Sequence, residues 1–397
     1  MNFILLRKKE FRNFFLADII SGFGVGMTTV GANWYILQET GSNKSVGFYL
    51  TINVLAGFLM SPLAGILTDR MFRKNLILWT FLGRAIPMAL IAIVFWQIGF
   101  NIWLMFLLSI VTGAGWITYM ASSRSYVQAV LPKGLLGSAN AFIEVSLQVG
   151  MFVAGAVSGM VLHYTGFLAI LFVNVLVFII VSLLIMFIPR DKRAVSNVNN
   201  ESLSFVAGLK YIWEHKVVLN IGLLSVLPLI VTQLFNVSSP DYVSTILKSN
   251  SVVYGLADMG YGIGGLVAGL ITGTLIIKFH DRSIIIVFFT TAAIALLTLY
   301  LGRLVSLLYV CTFLIGLSNS ALRVVVNTVL MKTVAKSYFG RATSIWNGLA
   351  QFIEIFASSL MGLFNDRLGA NFGFLCMFVI MFMGIIWSAV ILSNRRI

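Results

Sequence analysis

Gly65-Ile66-Leu67-Thr68-Asp69-Arg70-Met71-Phe72-Arg73-Lys74 is the stretch from which the architecture can be read. Four charges crowd into residues 69–74, between two apolar runs at 46–68 and 75–97. A hydrocarbon layer about 30 Å thick is crossed by about 20 apolar residues in a helix. The charged stretch is therefore a hairpin between two spans at one membrane face. Its pattern returns 208 positions on, in Gly273-Thr274-Leu275-Ile276-Ile277-Lys278 followed by Asp281-Arg282. A second pair of turns also matches: Leu131-Pro132 through Gly137-Ser138-Ala139, and Val334-Ala335 through Gly340-Arg341-Ala342. The chain thus reads as two copies of one unit.

The rest of the 397 residues agrees. Charged residues are 10% of the chain and apolar ones 59%, too few charges to coat a soluble globule of this size. Twelve spans are expected, at 13–37, 46–68, 75–97, 102–123, 138–162, 167–188, 217–239, 253–277, 283–301, 306–330, 342–364 and 372–392. The first is too long for a signal-peptide core and lacks a cleavage site, so it is expected to be retained. Residues 1–188 and 217–397 are read as two six-span bundles. Residues 189–216 join them, with Phe205, Leu209, Ile212 and Trp213 at amphipathic spacing. That segment is either a surface helix or an extension of span seven.

The net charge of +14 is a topology signal. With the N-terminus inside, 21 of the 27 Lys and Arg fall on cytoplasmic segments and four (Lys44, Lys248, Arg303, Arg367) outside, while Arg84 and Arg323 lie within spans. That bias is the positive-inside rule, and it excludes nucleic acid as the reason for the charge. Both termini are expected to be cytoplasmic, in a bacterial inner membrane. Cys311, Cys376 and the three histidines have no metal or disulfide spacing, and no phosphate-binding loop is present. No cofactor, no metal and no ATP drive are expected.

Two matched six-helix bundles form a rocker, with substrate at their interface near mid-membrane. Here the chain resembles the major facilitator superfamily. Gly65–Lys74 is similar to that family's signature between spans two and three, departing at Thr68 and Phe72. Ser122–Pro132, Gly208–Lys216 and the run from Phe14 to Trp34 into Thr40-Gly41-Ser42 look like the branch of macrolide-efflux and siderophore-exporting proteins. Two departures stand out. Ala154-Gly155 replaces the antiporters' Gly-Pro in span five, and Gly24-Val25 replaces Gly-Asp in span one, with Asp18 earlier. The resemblance implies an all-α membrane protein with twelve transmembrane helices in two pseudo-symmetric bundles. It also implies that spans one, five, ten and eleven line the cavity.

Polar stripes fall on those spans. Span eleven carries Ser344, Asn347, Gln351, Glu354 and Ser358 on one face; span five carries Asn140, Glu144 and Gln148; span ten carries Asn319, Arg323 and Asn327. Span one carries Asp18, Gly22, Gly26, Thr29 and Asn33. Charged groups inside a membrane face partners or water. A carboxyl's hold on a proton depends on its solvation and on nearby cations, and both change as a cavity opens and closes. Glu144, Glu354 and Asp18 are therefore the proton-coupling candidates; the alternative for the two glutamates is permanent pairing with Arg124 or Arg323. Arg323 suits an anionic substrate group, Arg124 reads as a snorkelling residue, and Arg84 as structural. Tyr254 and Asp258 can line an exit. Trp34, Tyr35, Trp116, Tyr119 and Trp346 stack on a ligand or merely pack. Gly65, Asp69, Arg70, Arg73, Lys74 and Arg341 are gate candidates. Asp69 would accept from the start of span eleven, and the basic residues would meet the anionic inner surface. Glycines of spans five and eight, Gly255 to Gly273 among them, are read as close-packing positions.

The expected function is proton-driven efflux, by a monomeric antiporter, of a small amphipathic compound: a macrolide-type drug, as in multidrug resistance, or a siderophore-type chelator. An importer, a transporter of lipid-type substrates and, more distantly, a membrane-embedded enzyme are the alternatives.

Overall fold

The computed structural model describes residues 9–132, 135–191, 202–335 and 338–391; the side chains of residues 9, 10, 136–138, 140, 141, 144, 202–207 and 391 lie outside that description. Among the described residues there are thirteen helices and no strand. The first six spans are α1 (Lys9–Thr40), α2 (Asn43–Arg70), α3 (Arg73–Ile98), α4 (Ile102–Val130), α5 (Leu136–Thr165) and α6 (Phe167–Met186). A short helix α7 (Ser202–Glu214) follows. Then come α8 (Lys216–Asp241, continued by a π-helical turn at Tyr242–Ile246), α9 (Ser251–Lys278), α10 (Asp281–Leu301), α11 (Val305–Thr333), α12 (Phe339–Leu368) and α13 (Ala370–Ile391).

Eleven of these helices are long and apolar enough to cross a membrane. The remaining long one, α12, has 30 residues, about 45 Å of helix. Its polar stripe is what lowers its hydropathy. Leu59, Ile86, Leu90, Val287 and Val310 are exposed on the outer faces of α2, α3, α10 and α11, as lipid solvation allows and water does not.

The chain divides into two compact units, Met1–Ser196 with Asn250–Met259, and Asn197–Ser249 with Gly260–Ile397. In the first unit, α1 lies along α5 because Gly22 and Gly26 have no side chain. A Cβ on them would come within 3.3 Å of Leu147 Cα and 3.2 Å of Met151 Cα. The face of α1 that looked like a cavity wall is thus packed on α5: Asp18 and Asn33 are buried there. Between α2 and α4, a Cβ on Gly113 would sit 2.9 Å from Asn53 C. Asn53 Nδ2 also donates to Ser109 O (3.1 Å) and Thr112 Oγ1 (2.9 Å). The first residues of α9 join this unit because Gly155 and Gly159 let Gly255 and Ser251 in close; Ser251 Oγ donates to Gly159 O at 2.9 Å.

The second unit repeats this plan. Gly316 of α11 meets Tyr261 of α9 as Gly113 meets Asn53, a Cβ there falling 2.7 Å from Tyr261 C. Gly166 and Gly369 end α5 and α12 at φ 82° and 88°, a left-handed conformation that glycine adopts without strain. Not every glycine of α9 packs: a Cβ on Gly269 or Gly273 would meet nothing within 4 Å beyond the helix's own backbone, so those two face open space. Helix α7 is separate from α8, broken at His215 (φ −107°, ψ 84°). It is fastened to the turn before α12: Tyr211 Oη accepts from Ala335 N (3.1 Å), and its ring stacks on Tyr338 at 4.3 Å.

Candidate functional site

A polar centre lies inside the first unit, where four helices reach similar depth. At 1.5 Å per residue, Asp18, Arg84, Tyr119 and Ser146 are all about 13–17 Å from the α1, α3 and α5 starts and the α4 end. Asp18 is fully buried. One of its oxygens accepts from the Tyr119 hydroxyl and the other from the Ser146 hydroxyl. Ser146 Oγ also lies 2.8 Å from Ile143 O. Its one proton can go to either acceptor. With Asp18 ionised, Ser146 donates to Asp18; with Asp18 protonated, Asp18 donates to Ser146, which turns its own proton to Ile143. The site is satisfied in both protonation states.

Arg84 completes this centre. Its side chain is 1% exposed, and none of its three nitrogens has a hydrogen-bond partner among the described residues. Its guanidinium carbon sits 4.2 Å from the Phe178 ring centroid, a cation–π contact, and its stem occupies the space above Gly115. Its charge reaches Tyr119, which in turn bonds Asp18. Neither Ser146 nor this role of Arg84 was visible as a stripe. The available signals were an arginine in mid-span and a serine on the α5 face turned toward α1.

In the second unit the α12 stripe changes character along its length. Ser344 and Asn347 are exposed, Gln351 and Glu354 part-exposed, and Ser358 is buried, bonded by Gln233 Nε2 at 3.0 Å. Arg323 and Asn327 of α11 are exposed, and Arg323 lies close enough to attract the Glu354 carboxylate. Asn319, expected beside them, is instead 1% exposed. Its Nδ2 donates to Tyr261 Oη (3.1 Å) and Thr232 Oγ1 (3.3 Å), joining α8, α9 and α11. Trp346 is buried against Gly222 and does not face open space.

The other candidates scatter. Gln148 is part-exposed; Asn140 and Glu144 occupy the same α5 face, but their side chains lie outside the described ones. Trp34 and Tyr254 stack on each other with centroids 5.5 Å apart, and Asp258 follows one turn on. Gly65, Asp69, Arg70, Arg124 and Arg341 are exposed, the last with its guanidinium 5.4 Å from the Tyr338 ring. The contacts that Arg73 and Lys74 make among the described residues lie within the first unit. Asp191 accepts from their backbone N–H groups (3.0 and 3.1 Å), and Arg73 Nη1 pairs with it at 3.9 Å. Lys74 Nζ donates to Met186 O and Ile188 O at the end of α6. A separate apolar cavity of about 260 Å³ opens between α1 and α4, lined by Phe11, Phe14, Tyr126, Val127, Val130, Leu131 and Pro189.

Known proteins fit this architecture. A family model described as Major Facilitator Superfamily matches residues 14–247 and 221–396. The chain is 20% identical over 379 residues to macrolide efflux protein A of Streptococcus pyogenes, covering 93% of this chain and 92% of that one. It is 22% identical over 377 residues to the multidrug efflux pump Tap of Mycolicibacterium fortuitum, covering 91% and 90%. Among solved structures, a bacterial homologue of the human lysosomal transporter Spinster, inward-facing and unoccupied, superposes with a TM-score of 0.79 at 11% identity, over 97% of this chain and 96% of that one. A D-xylose–proton symporter gives 0.77 at 14% identity, over 97% and 98%. The chain belongs to the major facilitator superfamily and is a multi-pass membrane transporter, not an enzyme.

Proposed function

We propose that the protein exports small amphipathic drug-like compounds in exchange for protons by alternating access. It would act as a monomer in the bacterial inner membrane with both termini cytoplasmic. The observation that carries this reading is the Asp18 centre. A carboxyl at mid-span, held by two hydroxyls and able to be satisfied with or without its proton, supports a proton-binding role. One charge moved across about 100 mV supplies about 2.3 kcal/mol to the exchange. Full-length similarity to two efflux proteins supports the direction and a drug over a chelator. The Glu354–Arg323 pair is the second coupling candidate, with Glu144 third, and Asp69 at the end of α2 is the gate candidate.

Inside-out vesicles test this. Acidifying the lumen should drive accumulation of a radiolabelled macrolide, and collapsing the pH gradient should release it. Asp18→Asn should insert normally and lose the gradient response, whereas Asp18→Glu should keep part of it. Undiminished gradient-driven accumulation in Asp18→Asn would remove Asp18 from the coupling. Accumulation of a ferric chelator in place of the macrolide would return the substrate to the siderophore class.

A further inference from the structure

Asp18, Tyr119, Ser146 and Arg84 are each at most 1% exposed, so no member of the polar centre meets solvent directly. The cavity of about 260 Å³ in the first unit is built on two of the same helices. Phe14 on its wall is four residues before Asp18 on α1, one turn and about 6 Å along the axis. Tyr126 on its other wall is seven residues after Tyr119 on α4, two turns and about 10 Å. Both lie toward the start of α1 and the end of α4, the cytoplasmic side in the orientation proposed above.

Two rings form the part of the wall nearest the centre. Phe14 and Tyr126 are both buried, and their rings stack with centroids 5.6 Å apart at 28°. Tyr126 Oη donates to Pro189 O at 3.0 Å, which ties that ring to the chain after α6. Pro189 is exposed, so the cavity meets solvent at that end. Ser122 lies between Tyr119 and Tyr126 on one face of α4 and is buried. Its hydroxyl is 2.7 Å from Thr118 O and 3.2 Å from Tyr119 O, so it can turn between two acceptors. The cavity volume holds several waters at about 30 Å³ each, but an apolar neck is dry while closed and conducts only when it widens. The titratable groups facing Asp18 are Tyr119 of α4 and, through it, Arg84 of α3. Helix α5 presents Ser146 and carries Glu144, whose side chain lies outside the described ones.

We infer that Asp18 exchanges its proton with the cytoplasm through this cavity, and that the Phe14–Tyr126 ring pair is the valve. The inference rests on the proton-exchange reading of Asp18. When the rings part, the Tyr126 hydroxyl leaves Pro189 O and water enters as far as Ser122. The proton then passes from the Asp18 carboxyl to that water and leaves as hydronium, and the remaining carboxylate keeps the hydroxyls of Tyr119 and Ser146. At about 260 Å³ the cavity is smaller than the roughly 300 Å³ at which pockets for drug-sized ligands begin. Proton and drug therefore take different routes.

The test needs no substrate. A flash-released proton lowers the pH around the purified full chain, and time-resolved infrared absorbance follows the protonated Asp18 carboxyl, identified as the band missing from Asp18→Asn. Val127→Trp, which fills the cavity, should slow the rise of that band at least tenfold. Phe14→Ala should speed it at least threefold. Tyr126→Phe, which keeps the ring and drops the bond to Pro189, should speed it at least twofold. The final amplitude should match the parent in all three, a split that a merely structural role would not produce. Tyr126→Phe removes a single hydroxyl, so it decides the question even if the other two variants fail to fold. A band that titrates at one rate in the parent and every folded variant, or that changes in amplitude alone, overturns the route and leaves the proton reading of Asp18 standing. A parent chain with no titrating Asp18 band removes Asp18 from the coupling, and the route with it.

Discussion

Lys74 and Arg282, 208 residues apart, perform the same act in their own units: each reaches from the start of one helix to the carbonyls that end another. Lys74 Nζ donates to Met186 O at 2.8 Å and Ile188 O at 2.6 Å; Arg282 Nη2 donates to Ala389 O at 2.9 Å. The last four carbonyls of a helix have no partner within it, and a cation there also meets the negative end of the helix dipole. The first unit adds Asp191, which caps the N-terminus of α3 from the chain following α6. The repeat therefore preserves a closure of each six-helix unit as well as its sequence pattern.

These closures are expected to be worth about 1 kcal/mol each, the net value of a charge-assisted bond that is partly in water. Lys74→Met and Arg282→Met should each lower the melting temperature of the detergent-purified protein, and Asp191→Ala should do so by a similar amount. Arg70→Gln, at an exposed position, should leave it unchanged. Equal melting temperatures for Lys74→Met and the parent would show that the clasp contributes nothing.

Gly113 and Gly316 each lie against the backbone of the helix two before their own. Alanine at either should cost about 1–3 kcal/mol through forced separation of the pair. Gly269→Ala and Gly273→Ala, which meet open space, should stay within about 0.5 kcal/mol. Fluorescence-detected size-exclusion melts on the four variants separate the two classes. A ranking that mixed them would refute the packing assignment.

Arg84 makes a different demand. A fully buried guanidinium with no hydrogen-bond acceptor among the described residues destabilises its surroundings, and a similarly shaped apolar side chain relieves that cost. Arg84→Met should therefore melt at or above the parent temperature, yet lose at least tenfold in gradient-driven transport because the Asp18–Tyr119 centre has lost its cation. Stability and transport falling together would mark Arg84 as purely structural.

The fold was legible because membrane insertion leaves its signature in local composition. Apolar length and basic loops delimit a span without reference to its neighbours, and all twelve expected spans coincide with long helices to within a few residues, except α4, which runs on to Val130. Which face of a span meets water is harder to read, because a polar residue serves a partner helix as readily as a cavity. Asn319 shares its helical face with Arg323 and Asn327, yet its amide is taken by Thr232 and Tyr261. Asp18 and the glycines after it looked like a cavity wall and are an α1–α5 seam. The α12 stripe remained partly wet because it continues unbroken for several turns, more polar groups than one neighbouring helix can satisfy. Ser146 was not picked out and Arg84 was read only as structural, because each finds its meaning in the residue it faces.

The Arg323–Glu354 relationship predicts a reversal. Glu354→Gln leaves the Arg323 charge uncompensated, and Arg323→Gln does the same to Glu354. Each single variant should lower efflux of a basic substrate, and the double variant should exceed the weaker single, since electrostatically coupled neighbours are not additive. Additive losses in the cycle would show that the two charges act separately.

Proton exchange at Asp18 can be observed without transport. Substrate added to purified protein in weakly buffered detergent, with a pH indicator present, should release close to one proton per bound macrolide from the parent chain and none from Asp18→Asn, whose affinity is retained. Release of the same proton by Asp18→Asn would contradict the account, because the exchanged proton would then reside elsewhere.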